Sequence, residues 1–194
     1  YSTEVENMFI QTEPTPNPAT LKFLPGKPVM NEGTAEFIDV NNAEASPLAH
    51  KLLQLDGISG VFFGKDFITV TKINDLEWQA IKPMILGAIM DHYNSGQPIL
   101  LENNDKSTSD ELRDDDVDDA IINQIKELIE TRVRPAVAQD GGDIVYKGFK
   151  KGTVYLHMRG ACAGCPSSTM TLKNGIETML KHYVPEVLQV EAIA

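Results

Sequence analysis

Between Glu102 and Asp119 the chain loses its apolar period altogether, and this interruption limits what the 194 residues can fold into more than any other feature. The stretch is rich in Asn, Ser, Thr and Asp and carries nine acidic residues against two basic ones. So few apolar side chains cannot bury enough surface to offset the entropy of ordering the backbone. Residues 102–116 therefore read as a solvated, flexible acidic linker. One continuous core is excluded, and the sequence separates into two small lobes, 8–101 and 117–194. The fold class expected is α/β, of the α+β kind, with mixed strands and helices in both lobes.

In the first lobe, residues 8–11 are extended and lead into Pro14, Pro16 and Pro18, whose fixed φ and missing N–H predict an ordered turn region rather than a helix. Residues 21–24 read as a strand. Ser46 before Pro47 is an N-cap followed by a first helical residue, with Leu48, Leu52 and Leu55 along one face as far as Gly57. Residues 61–63 and 67–70 flank Gly64-Lys65-Asp66 as a hairpin. Trp78, Ile81, Ile85, Ile89 and Tyr93 recur at helical spacing until Asn94-Ser95-Gly96. The Pro-rich turn, the Phe62-Phe63 pair and the Trp78 helix are expected to serve the fold and not to bind anything directly.

In the second lobe, Val117, Ile121, Ile125, Leu128 and Ile129 mark an amphipathic helix, with Arg132 and Arg134 near its end and Pro135 interrupting the pattern. Asp140-Gly141-Gly142-Asp143 is a turn signal. Residues 144–149 and 153–158 flank Lys150-Lys151-Gly152 as a second hairpin. Leu172, Ile176, Met179, Leu180 and Tyr183 line a closing helix stopped by Pro185, and residues 187–193 return as a strand. The order predicted is α-β-β-α-β.

Composition removes several classes of function. No apolar run approaches the roughly 20 residues a membrane-spanning helix needs, so no bilayer insertion is expected. A net charge of −11 opposes broad phosphate-backbone binding, which clustered Lys and Arg drive. Residues 134–194 alone carry a basic excess, seven to five, and they hold both cysteines. Two cysteines do not make a disulfide-stapled secreted scaffold, so a reducing compartment is expected. The sequence begins at Tyr1, which leaves a removed targeting peptide, a trimmed tag and an incomplete record all open, and no secretory or transit pattern is visible in it.

The chemistry concentrates in Gly160-Ala161-Cys162-Ala163-Gly164-Cys165-Pro166. Thiols three residues apart can turn toward one iron, and small Ala163 and Gly164 let the backbone curl around sulfide. The pair falls between a predicted strand and the start of a helix, where free N–H groups and the positive end of the dipole favour thiolates. Cys162 and Cys165 are therefore the candidate ligands. A thioredoxin-like dithiol oxidoreductase also uses this spacing, but its familiar form has Trp before the first Cys and Pro inside the motif, whereas here Trp78 is distant and Pro166 follows. A structural zinc needs four ligands, and His50, His92, His157 and His182 show no partner spacing. Two ordinary structural thiols would sit buried on an apolar face, whereas residues 160–164 read as an open loop.

Iron–sulfur clusters commonly take four thiolates and this chain has two. A second copy related by a two-fold axis completes the set and places the cluster at a symmetric interface. A cluster so exposed can be released by parting the subunits or by exchanging thiolates with an acceptor. Bridged [4Fe-4S] and [2Fe-2S] clusters both satisfy the same four sulfurs.

The run from Asp140-Gly-Gly-Asp143 through Gly160-Ala-Cys-Ala-Gly-Cys-Pro-Ser-Ser168 and Thr171-Leu-Lys-Asn-Gly-Ile-Glu177 to Tyr183-Val-Pro-Glu186 closely resembles the NifU-type C-terminal domain. Phe9-Ile-Gln-Thr12, Thr15-Pro-Asn-Pro18, Leu21-Lys-Phe23, Val61-Phe-Phe-Gly64 and Asp66-Phe-Ile-Thr-Val-Thr71 are similar to the N-terminal domain of Nfu proteins. Together the two resemblances cover nearly the whole chain from Met8, leaving Tyr1 to Asn7 unmatched. They imply a non-enzymatic iron–sulfur scaffold or carrier that holds a [4Fe-4S] cluster on Cys162 and Cys165, between two C-terminal domains. They also imply a homodimer on cluster binding, with apo iron–sulfur proteins and upstream assembly factors as partners, and no nucleic acid or membrane. The location implied is cytoplasmic in a bacterium or the mitochondrial matrix in a eukaryote, not secreted. In this family the N-terminal lobe is thought to contribute partner contacts. Longer NifU-type proteins also carry a separate scaffold domain and a permanent ferredoxin-like site, and this sequence lacks the cysteines for either.

Overall fold

Two sheets with their helices account for most of the residues that the computed structural model describes, which are 9–73, 75–101, 112–113, 117–163 and 166–193. The sheets belong to separate units of the chain, divided between Asn104 and Asp105.

The first unit has strands β1 (Gln11–Pro14), β2 (Thr20–Leu24), β3 (Ala35–Phe37), β4 (Ile58–Phe63) and β5 (Ile68–Lys72), in the order β1-β2-β5-β4-β3 with every pair antiparallel. Strand alternation sends Phe23, Val61, Phe63, Ile68 and Val70 to one face. There they form a core with Leu48 and Leu52 of α1 (Pro47–Leu53) and Ile81, Ile85 and Ile89 of α2 (Trp78–Ser95). Ser46 caps α1 as expected, its Oγ accepting from the Ala49 N–H at 3.1 Å. Phe67 belongs to the hairpin turn rather than to β5. The Gly64 N–H donates to the Phe67 carbonyl at 2.9 Å, and the Phe67 ring fills the space a Gly64 Cβ would need. Pro14 ends β1, an edge strand, where a missing N–H costs no ladder bond. The Pro-rich turn is fastened from both sides. Thr15 Oγ1 bonds the carbonyls of Asn17 and Thr20, both at 2.8 Å, and Trp78 Nε1 donates to the Pro18 carbonyl at 3.1 Å. These side chains are engaged in the fold.

The second unit keeps the predicted α-β-β-α-β order and adds a short strand. Its sheet runs β6 (Leu112–Arg113), β7 (Gly142–Lys150), β8 (Thr153–Gly160), β9 (Gln189–Ile193), with β7 and β8 antiparallel and the outer two pairs parallel. The helix α5 (Pro166–Tyr183) makes the crossover that parallel β8 and β9 require. The core joins Ile122 and Ile125 of α3 (Asp119–Leu128), Val137 of α4 (Arg134–Gln139), Ile176 and Leu180 of α5, and Ile144, Leu156, Met158 and Val190 of the sheet.

Three further expectations change. The linker is not wholly without structure, because Leu112 and Arg113 pair with Gly148 and Phe149 through main-chain bonds that need no apolar side chain. The rest of 102–116 lies outside the described residues. Pro135 does not end the helix: α3 passes through a π-helical turn, Ile129–Val133, into α4, and the Arg134 N–H reaches back to the Ile129 carbonyl. The wider turn resets the hydrogen-bond register just before the proline, so its missing donor and ring fall in the first turn of a new segment, where both are tolerated. Finally, Gly142 and Asp143 belong to β7 rather than to the turn before it, and the bend is made at Asp140 and Gly141, whose φ is +80°.

Candidate functional site

Strand β8 ends at Gly160, whose φ of +63° suits glycine and turns the chain back toward the start of β7. Gly142 and Gly160 are cross-strand partners, and the Ala161 N–H donates to the Gly141 carbonyl at 3.1 Å. The Ala163 N–H closes a tight turn onto the Gly160 carbonyl, also at 3.1 Å. From the far side, Thr169 Oγ1 in the first turns of α5 donates to the Cys162 carbonyl at 2.9 Å. Cys162 thus occupies the strand-to-helix connection where the sequence places it. Its predicted partner Cys165 lies outside the described residues, as does Gly164.

The environment of Cys162 corrects the expectation of an open loop favouring thiolate. Cys162 is 6% exposed and packs within the hydrophobic core of the second unit. A Cβ built on Gly142 would lie 2.3 Å from its Sγ, so the sulfur occupies the notch that this glycine leaves in β7. Burial, with the Asp140 and Asp143 carboxylates adding to it, pushes the thiol up to about 12. Loss of solvation outweighs the helix-terminal effect read from the sequence, and the neutral thiol is the form this seat favours.

Beneath the loop lies a buried ion pair. Asp143, next to the notch and 3% exposed, accepts from Arg134 Nε at 2.8 Å and Nη2 at 2.9 Å, while the Ile144 N–H donates to the same carboxylate at 2.8 Å. Arg134 also donates to Glu130 one turn back. The fork geometry ties α4 to the first residues of β7. Sequence reading recognised Arg134 as a helix-end cation and Asp143 as a turn residue, but nothing in their spacing revealed that they meet. Thr169 and the notch at Gly142 were not singled out as site residues. A hydroxyl just after Pro166, in a helix's first turns, is the one local signal that could have pointed to Thr169.

The histidines are dispersed. His92 is buried in the first unit, His50 lies on α1, His157 on β8, and His182 stands edge-on to Tyr183 with ring centroids 4.9 Å apart. Among the described residues no three His, Cys, Asp or Glu side chains converge on a common point.

A mixed lobe of this order, with a Cys-x-x-Cys loop between β8 and α5, defines the class: residues 125–191 match the family model described as "NifU-like domain". Residues 10–96 match the one described as "Scaffold protein Nfu/NifU N terminal". The human protein named "NFU1 iron-sulfur cluster scaffold homolog, mitochondrial" is 50% identical over 190 residues, covering 97% of this chain and 73% of that protein. "NifU-like protein 4, mitochondrial" of Arabidopsis thaliana is 54% identical over 186 residues, covering 95% of this chain and 65% of that one. The chain belongs to the Nfu family of NifU-like scaffold proteins and spans 65% of the Arabidopsis relative's length. The solution structure of a NifU-like protein from Saccharomyces cerevisiae aligns at a TM-score of 0.47 with 24% identity, covering 53% of this chain and 92% of that chain.

Proposed function

We propose that this chain is a non-enzymatic iron–sulfur cluster carrier. It holds a labile [4Fe-4S] cluster as cargo on Cys162 and Cys165, completes the coordination with the same pair from a second copy, and hands the cluster to apo-proteins. The observation that carries this reading is the number and placement of thiols: two in the whole chain, three residues apart, with Cys162 in the loop between β8 and α5. Four thiolates are the usual complement of such a cluster, so one chain supplies half a site. The dithiol-oxidoreductase alternative needs a thiol held below its ordinary value, and Cys162 is held above it, first by burial. A ligand has no such need, because a bound metal itself drives the proton off sulfur.

Partners follow from the same chemistry. They are apo iron–sulfur proteins as acceptors and an upstream assembly factor as donor, with nucleic acid disfavoured by the net charge of −11. No helix among the described residues is long and apolar enough to cross a membrane. The two relatives named above are mitochondrial by name, and we place this chain in the mitochondrial matrix on that likeness.

Anaerobic reconstitution with iron and sulfide tests the proposal. Mössbauer spectra and native mass should report one [4Fe-4S] cluster per two chains, lost in Cys162→Ser and in Cys165→Ser. Spectra of a [2Fe-2S] centre on the same dimer would revise the cargo. A colourless protein of monomer mass, or catalysed disulfide exchange requiring both thiols, would sink the carrier reading.

A further inference from the structure

A sulfur that shares a cluster with a second chain must stand at the protein surface, yet Cys162 is 6% exposed, with its Sγ in the Gly142 notch. The two positions are incompatible, so Cys162 has to leave the notch to bind cargo. Three bonds among the described residues hold the seated position. The Ala161 N–H on the Gly141 carbonyl and the Ala163 N–H on the Gly160 carbonyl fix the loop's two flanks at 3.1 Å. Between them the Cys162 carbonyl is held by Thr169 Oγ1 at 2.9 Å. The Ala161 bond belongs to a peptide before Cys162 and can persist if Cys162 alone reorients. The other two act on the two ends of the planar peptide that joins Cys162 to Ala163, and reorienting that peptide breaks both.

We infer that Thr169 is a positioning residue whose hydroxyl keeps Cys162 seated in the notch left by Gly142. Loading and release of the cargo then pass through rupture and re-formation of this hydrogen bond together with that of the Ala163 N–H on the same peptide. Seated, the thiol is shielded from electrophiles and oxidants by the core around it. Released, it becomes a ligand. Gly142 supplies the other half of the device, because any side chain there would occupy the sulfur's place, whereas Thr169 supplies the catch. The link to cargo rests on the carrier reading, but the sheltering of Cys162 does not.

The test uses the full chain under reducing conditions without iron, with iodoacetamide as the probe and mass spectrometry resolving Cys162 from Cys165. Cys162 should react far more slowly than in the same chain unfolded in guanidinium. Thr169→Val should raise its rate roughly three- to tenfold, the range set by the net worth of one hydrogen bond. Thr169→Ser, which restores the hydroxyl, should return the rate to that of the parent. Gly142→Ala, with Thr169 intact, should also speed alkylation by displacing Sγ, and it keeps the inference testable if Thr169→Val folds poorly. Cys162 alkylation at the parent rate in both Thr169→Val and Gly142→Ala, or a Ser variant as fast as the Val variant, would overturn the inference. None of these measurements contains a cluster, so failure here is distinct from failure of the carrier reading, which reconstitution alone decides.

Discussion

Arg134→Met removes the cation from a carboxylate that cannot reach water instead. The Asp143 side chain is 4% exposed and that of Arg134 27% exposed, joined by two bonds of 2.8 and 2.9 Å. Stripping one partner from a fully buried pair costs about 3–5 kcal/mol, because the other charge is left desolvated. Two features reduce that figure here. The guanidinium is a quarter exposed, so solvent screens the pair and lowers its Coulombic worth, and the Ile144 N–H continues to donate to Asp143 at 2.8 Å. We expect about 2–3 kcal/mol, which for a lobe of this size corresponds to a fall of roughly 10–20 °C in its unfolding midpoint. Hydrogen exchange on the full chain, followed in peptides of β7 and β8, reads the opening energy of this lobe alone. Lys51→Met provides the control, read by the same exchange in peptides of α1 and α2 of the first lobe. Its pair with Asp91 spans 3.3 Å between side chains that are 48% and 72% exposed, and its loss should cost less than about 0.5 kcal/mol. If Arg134→Met costs no more than the control, the buried pair is not what ties α4 to β7.

Two further outcomes concern pH. Burial raises Cys162 from 9.0 to about 12, so its proton is held more tightly in the folded chain. Its contribution to stability is complete below 9.0 and lost as pH rises from there toward about 12. Alkylation of folded protein should therefore stay slow at a pH where the unfolded chain already reacts fast, and matching profiles would refute the burial argument. His92 behaves in the opposite sense: burial, assisted by Lys51, lowers it from 6.5, and its Nε2 has no hydrogen-bond partner among the described residues. The neutral ring's contribution is present above 6.5 and lost as pH falls below it. His92→Phe should make the first lobe less acid-sensitive, measured by Trp78 fluorescence during unfolding at about pH 7.5 and about pH 5. An unchanged difference between the two pH values would exclude His92 as the acid-sensitive group.

The elements were legible where local signals and long-range packing agree. Ser46-Pro47 announces α1 because capping and a fixed φ are properties of adjacent residues, and Leu48 and Leu52 show the buried face in their spacing alone. Short edge strands such as β3 and β6 were not legible, since a partner strand elsewhere in the chain supplies their bonds and their own residues carry no pattern. The site divides in the same way. Cys162 announces itself by type and spacing, but its burial depends on Gly142, twenty residues earlier, and the pair beneath it joins Arg134 to Asp143 across a helix end and a strand start. A glycine's function as an empty place is invisible until the neighbour that fills the place is known. For the same reason the dipole argument for a thiolate, sound for an exposed helix end, failed at a sulfur that the fold removes from water.

The π-helical turn at Ile129–Val133 has a consequence for which changes the chain can tolerate. An α-helix advances about 100° per residue, so a single-residue deletion there would regularise the backbone but swing everything after it by that angle. Ile122, Ile125 and Ile129 would still face the sheet, while Val133 and Val137 would turn off it and the Arg134 guanidinium would leave Asp143. The extra residue works as a phase adjuster between two helical segments. One segment's stripe is aligned with the core, and the other's is aligned with the strand that carries the notch. Length at this point is therefore under tighter constraint than residue identity, and a change that looks like the repair of an irregular helix would undo the support beneath Cys162.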